Sequence, residues 1–159
     1  MIVIDNSVRI ERPIEVVYAF VAESFFQNLK TWNPDLVELT TEGDGKMRRG
    51  ARAHEAQLIQ GKRFDRDIEV TDYEAPRLFA IKSIGSPQQP NEHAVNRFNF
   101  TADGTGTRID YHFELQWRGF MFTWIPWLPK RFISKALARN LGTMKRTLEM
   151  QSSPQKANQ

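Results

Sequence analysis

Apolar and polar side chains alternate along the first eleven residues. Ile2, Ile4, Val8 and Ile10 fall on one side and Asp5, Ser7, Arg9 and Glu11 on the other, the period of two that marks a strand with one buried face. Pro13 ends it. Proline is tolerated in the first turn of a helix, so the helical recurrence of Ile14, Val17, Tyr18 and Val21 behind it predicts a short helix. A second short helix is expected from Ser24 to Leu29, with Ser24 as its cap and Pro34 forbidding continuation past Asn33. A strand follows near Leu36 to Thr41.

From Gly50 onward the pattern is a run of hairpins: Ala51 to Ile59, Lys62 to Tyr73, Leu78 to Ile84, Glu92 to Thr101 and Thr107 to Trp117. Gln60-Gly61, Glu74-Ala75-Pro76, Gly85 through Asn91 and Ala102 to Thr105 supply the glycine, proline and aspartate that tight connections need. Such a meander makes an antiparallel sheet. The last element is the clearest helix: Ile133, Leu137, Leu141, Met144 and Leu148 form one stripe, and Arg131, Lys135, Arg139, Lys145 and Arg146 lie opposite. The fold class is therefore α+β, with a long C-terminal helix closing a curved antiparallel sheet. Residues 1–151 are expected to form a single domain. The polar residues 152–159 are expected to be a disordered tail.

The hairpins also fix which side chains face inward. With Gln60-Gly61 as a two-residue turn, opposed residue numbers sum to 121, so Glu55 faces Arg66, Gln57 faces Phe64 and Ala53 faces Ile68. The alternate face pairs His54 with Asp67 and Arg52 with Glu69 and is wholly polar, hence the solvent side. A four-residue turn from Ala102 to Thr105 would oppose Asn96 to Tyr111, Phe98 to Ile109 and Ala94 to Phe113, leaving an inward face that is apolar apart from Asn96 and the tyrosine hydroxyl. Buried charges and amides are costly unless paired or wetted. A concave face carrying Glu55, Arg66, Asn96 and Tyr111 among the aromatics Trp32, Phe64, Phe98, Phe113 and Trp117 therefore suits a ligand cavity better than a core meant only to be filled. These nine residues are the candidate ligand-binding set.

Composition narrows the chemistry. The 159 residues are 40% hydrophobic and 26% charged, a globular profile, with no cysteine for a disulfide or thiolate metal site. A cytoplasmic location and no cofactor are expected. Asp5 interrupts the N-terminal apolar run, which has no basic flank, so a strand is expected there and not an export signal. The net charge of +3 hides an asymmetry: from Gln116 onward eight Lys or Arg stand against one acid, giving +7, which leaves −4 for the first 115 residues. The segment from Trp117 to Arg131 packs Trp117, Phe120, Met121, Phe122, Trp124, Ile125, Trp127 and Leu128 beside that basic face. Pro126 and Pro129 make it too short and too broken to span a bilayer. Its aromatics are expected to tuck under the last helix, and residues 117–139 also suit transient contact with an anionic membrane, the basic C-terminal helix alternatively serving to contact another protein. No nucleic-acid partner is expected.

Other motifs carry little. His54, His93 and His112 sit on separate strands without metal-ligand spacing, so no metal is expected. Gly43-Asp44-Gly45-Lys46 and Gly104-Thr105-Gly106 open no helix and read as turns, not phosphate cradles. No Ser, His and acid constellation can be assembled.

A strand followed by Arg12-Pro13-Ile14-Glu15-Val16-Val17-Tyr18-Ala19-Phe20-Val21, then Trp32-Asn33-Pro34, Gly50-Ala51-Arg52, Val70-Thr71-Asp72-Tyr73-Glu74-Ala75-Pro76, Gly106-Thr107-Arg108-Ile109 and finally Leu141 to Glu149 resembles the START-related SRPBCC superfamily, in particular its polyketide cyclase/dehydrase-like group. The resemblance implies a helix-grip fold: a seven-stranded sheet gripping the C-terminal helix, with two short helices after the first strand. It further implies binding or transport of a small apolar ligand such as a lipid, quinone or aromatic polyketide, and in some branches cyclisation or dehydration. As a cyclase or dehydratase the chain would use Glu55, kept ionised by Arg66, or a tyrosine against an enolisable ketone.

Overall fold

The computed structural model describes residues 1–84, 93–116 and 127–151. Seven strands form one antiparallel sheet: β1 (Ile2–Ile10), β2 (Leu36–Thr41), β3 (Arg52–Ile59), β4 (Lys62–Glu74), β5 (Leu78–Ile84), β6 (His93–Asp103) and β7 (Gly106–Gln116). Their spatial order is β1-β7-β6-β5-β4-β3-β2. Hairpins make consecutive strands neighbours from β2 to β7, and β1 closes the far edge against β7. Helices α1 (Ile14–Tyr18) and α2 (Phe25–Trp32) lie between β1 and β2, and α3 (Trp127–Met150) ends the chain. This is the helix-grip architecture.

Between α1 and α2 the chain makes a π-helical turn, Ala19–Glu23, closed by Ser24 N–H donating to the Ala19 carbonyl at 2.9 Å. Ser24 does precede α2, but its hydroxyl makes no capping bond, contrary to the expectation. Its backbone is occupied in ending the wide turn. The turn carries Phe20, Val21 and Ala22 into the core, and α2 continues inward with Phe25, Phe26, Leu29 and Trp32.

Gln60 and Gly61 both take positive φ (51° and 76°), the backbone of a two-residue hairpin whose twist matches its strands. The β3–β4 pairing accordingly runs Ala53–Ile68, Glu55–Arg66 and Gln57–Phe64. On the solvent side Arg52 bonds Glu69 at 2.7 Å, and His54 lies between Asp67 and Asp65 at 2.9 and 3.1 Å.

The β6–β7 turn differs from the expectation. It closes on Gly104-Thr105, with Asp103 paired to Gly106, so Asn96 faces Phe113, Phe98 faces Tyr111 and Ala94 faces Leu115. The slip is two residues, which preserves the facing of every side chain. Contacts with β1 account for it: Arg9 donates to the Asp103 carbonyl at 2.9 Å, and Ile10 pairs with Thr107. A β-bulge between Val70 and Asp72 changes which side chains of β4 face inward. Tyr73 thereby packs against Tyr18 of α1, with ring centroids 6.0 Å apart.

Helix α3 is seated by its second half. Leu141, Met144 and Leu148 are buried, while Ile133 and Leu137 are only half-buried. Polar ties fix that end to the sheet: Lys145 Nζ donates to the Arg9 carbonyl at 2.6 Å and Glu11 N–H to Glu149 at 3.0 Å. No helix among the described residues is long and apolar enough to cross a membrane.

Candidate functional site

The inward positions of β6 and β7 and the end of α2 bring five of the nine candidate residues together. Trp32 meets Phe98 with ring centroids 6.4 Å apart, and Phe98 meets Tyr111 at 4.8 Å and Phe79 at 6.1 Å. Asn96 lies beside this group and accepts a 2.5 Å hydrogen bond from the Tyr111 hydroxyl. Phe113, buried, stands opposite Asn96 on one side and Ile4 on the other. Burial pushes the Tyr111 hydroxyl far above the ordinary phenol range, so it acts there as a neutral donor.

Three more candidates form a second group on β3 and β4. Glu55 is 5% exposed, lies between Leu39 of β2 and Arg66 of β4, and accepts a 3.1 Å hydrogen bond from the Gln57 amide. Arg66 and Phe64 are half-buried. Burial acts most strongly on the Glu55 carboxyl and pushes its pKa up, more than the Arg66 charge and the Gln57 bond pull it down. This corrects the expectation that Arg66 keeps Glu55 in the ordinary ionised range: a carboxyl this enclosed loses more solvation than the opposed guanidinium returns. Glu55 therefore holds a proton more tightly than a free glutamate, the condition for a general acid or base nearer neutrality.

Strand β5 separates the two groups, which places them about 10 Å apart across the sheet. Its inward residues there are Ile81 and Ser83, and Ser83 Oγ accepts the Ala94 N–H at 3.0 Å. The ninth candidate, Trp117, lies outside the described residues, as do residues 118–126 and the tail 152–159. Asn6 was missed: it occupies the inward register of β1, opposite Tyr111. The sequence signal was there, a polar residue interrupting the even-numbered apolar run of β1.

Two hollows that the described residues outline lie away from this face. One, of 230 Å³, sits at the β2–β3 connection beside Phe26, Lys46 and Arg48. The other, of 570 Å³, lies over the outer face of β1, β7 and β6 and is lined by Asp5, Ser7, Arg97 and His112 among others. His112 there contacts Asp5 and Glu114 at 2.5 and 2.8 Å. His54 and His112 thus serve in surface ion pairs, which raise both pKa values chiefly through the bonds to Asp67 and Glu114.

The fold has many solved counterparts. A protein of Thermus thermophilus aligns over 95% of this chain and 99% of its own, with TM-score 0.73 and 17% identity. A conserved protein of Geobacillus kaustophilus gives TM-score 0.73 at 14% identity, over 92% and 94% of the two chains. A Thalictrum norcoclaurine synthase, solved with a transition-state analogue, gives 0.72 at 11% identity, over 95% and 96%. Comparison with curated protein sequences gives no match. The sequence does match the family described as "Polyketide cyclase / dehydrase and lipid transport" over residues 1–149, from the first strand almost to the end of α3. The chain is therefore a member of the polyketide cyclase/dehydrase and lipid-transport family, with the helix-grip fold.

Proposed function

We propose that this protein binds, and in that way carries, a small hydrophobic molecule on the concave side of its sheet. One observation carries the proposal: polar side chains that a sealed core would exclude, Glu55, Asn96 and Tyr111, stand on the inward face among Trp32, Phe98 and Phe113. Family membership and the fold's solved counterparts support a ligand of this class. Among the described residues, Phe64, Arg66 and Gln57 on the sheet and Ile133 and Leu137 on α3 are half-buried, which supports entry on that side. A cytoplasmic setting fits a chain without cysteine. Native mass spectrometry of the purified protein tests the proposal by weighing any co-purifying molecule. An environment-sensitive apolar dye should also bind near one per chain and be displaced by lipids, quinones or aromatic polyketides. Absence of both signals from folded protein would overturn it.

The raised pKa of Glu55 favours a second reading, a cyclase or dehydratase in which this carboxyl moves a proton at an enolisable ketone. Multiple turnover of a ketone substrate, lost in Glu55→Gln, would establish it. The exposed Phe132 (45%) among exposed Lys130, Arg131 and Lys135 on α3 supports transient contact with an anionic membrane through residues 117–139.

A further inference from the structure

Both ring nitrogens of a histidine can donate only when both carry a proton, because the neutral imidazole has one N–H and one lone pair. Two histidines on the convex side of the sheet have a carboxylate at each nitrogen. His54 of β3 sets Nδ1 2.9 Å from Asp67 and Nε2 3.1 Å from Asp65, both on β4. His112 of β7 sets Nδ1 2.5 Å from Asp5 of β1 and Nε2 2.8 Å from Glu114 of its own strand. As imidazolium, each ring bridges two carboxylates. As neutral imidazole, each would turn a lone pair on one of them and leave two negative charges without the cation between them.

The two bridges stand at opposite flanks of the sheet. Its edge strands, β1 and β2, have one neighbour each, so a single ladder of backbone bonds holds each of them. His112 adds a tie from β7 to β1 through Asp5. On the other flank Asp65 also takes Arg63, and Arg63 reaches Glu38 of β2 at 2.8 Å, so a chain of charges runs from His54 through β4 to β2. The remaining cations near the rings are engaged elsewhere. Arg52, on the strand of His54, and Lys82 of β5 are held by Glu69 of β4, while β2 presents the uncharged Thr40 opposite His54. Arg97 of β6, opposite His112, is held by Asp72 of β4 at 3.4 Å, and Asp110 of β7 takes Arg108 at 2.9 Å. Among the described residues the imidazoles are therefore the counter-ions of Asp67, Asp5 and Glu114. These carboxylates raise both imidazole pKa values, Asp67 acting most on His54 and Glu114 on His112.

We propose that His54 and His112 form a pH-sensitive brace: protonated, they hold the two flanks of the sheet in place, and on losing their protons they release them. Strand β1 also seats the end of α3, through the Lys145 bond to the Arg9 carbonyl and the Glu11 bond to Glu149. The β3–β4 pair that His54 clasps from behind carries Glu55 and Arg66 on its inward face. Resting on the ligand-binding function proposed above, the brace sets how firmly the sheet retains its occupant. Folding raises both imidazoles above the ordinary 6.5, so their stabilisation is complete below that value and is lost as pH rises through the folded pKa values. The grip is firm in mild acid and looser in mild base.

Imidazole NMR titration of the wild-type chain should give midpoints above 6.5 for both His54 and His112. The His54 midpoint should fall by about half a pH unit in Asp67→Asn, and that of His112 likewise in Glu114→Gln, the worth of one exposed ion pair. The wild type should melt higher than the double variant His54→Asn/His112→Asn at about pH 6, and the gap should close by about pH 9. Release of bound N-phenyl-1-naphthylamine, an apolar dye that stays uncharged across this range, should be about three- to fivefold faster at the higher pH in wild type and independent of pH in the double variant. Midpoints at or below 6.5, or a melting gap that stays constant with pH, would overturn the brace. Wild-type release that does not change with pH, beside a melting gap that closes, would overturn its hold on the cavity. If the dye does not bind at all, the ligand-binding function falls, and the midpoints and the melting gap decide the brace alone. Should the double variant not fold, the midpoints in wild type, Asp67→Asn and Glu114→Gln decide it.

Discussion

Tyr111→Phe removes one hydroxyl and nothing else, because the ring keeps its place 4.8 Å from Phe98. The lost bond is the 2.5 Å donation to Asn96 Oδ1. A neutral hydrogen bond contributes about 1 kcal/mol net, whereas an acceptor left sealed and unpaired costs a further 1–3 kcal/mol, roughly. Asn96 is only half-buried. If the concave face admits water, the abandoned amide oxygen is rehydrated and only the smaller loss remains. The expected outcome is a destabilisation of about 1 kcal/mol in urea denaturation, or roughly 2–4 °C in melting temperature for a chain of this size. Asn96→Leu and the double variant complete a cycle in which the coupling should also be about 1 kcal/mol. A loss of about 3 kcal/mol for Tyr111→Phe would refute the reasoning, since it would mean that Asn96 sits in a dry core and not beside a wettable cavity.

Glu55→Gln removes a carboxyl whose folded pKa is raised above the ordinary 4.5 by burial. The contribution of such a group is present below that value and lost as pH rises through the folded pKa. The variant should therefore match wild type near pH 4 and out-stabilise it increasingly above, gaining about 1.4 kcal/mol for each pH unit between the ordinary and the folded pKa. A gap in melting temperature that stays constant with pH would count against a raised pKa. Gly106→Ala places a Cβ 2.7 Å from the Ile10 carbonyl, so the end of β1 must move. A loss of about 1–3 kcal/mol is expected in denaturant titration, and an unchanged midpoint would show that the strand end yields freely. Liposome co-sedimentation should rise with anionic lipid content, each basic residue of the α3 face near the surface adding about 1 kcal/mol. No pelleting on highly anionic vesicles at low salt would assign Lys130, Arg131 and Lys135 to a solvated face.

The elements were legible because each has its own periodicity. The alternation of Ile2, Ile4, Val8 and Ile10 and the stripe from Ile133 to Leu148 need no partner to be read. The β3–β4 register was legible for a related reason: Gln60-Gly61 allows one tight turn, and counting outward from it places Glu55 against Arg66. Ala102 to Gly106 offers several closures of similar local merit. The choice of Gly104-Thr105 falls to β1, a strand about a hundred residues away in sequence, through Arg9 and Ile10. The bulge after Val70, which turns Tyr73 onto Tyr18, likewise answers to a helix that no local pattern near Val70 mentions. Site chemistry depended most on tertiary packing. Opposed charges at Glu55 and Arg66 suggest an ionised pair on paper, but burial outweighs the Arg66 charge and moves the carboxyl the other way. Trp32 Nε1 and Asn6 Nδ2 are buried without a hydrogen-bond partner among the described residues, which no local pattern announces, because desolvation is a property of the assembled fold and not of any segment of chain.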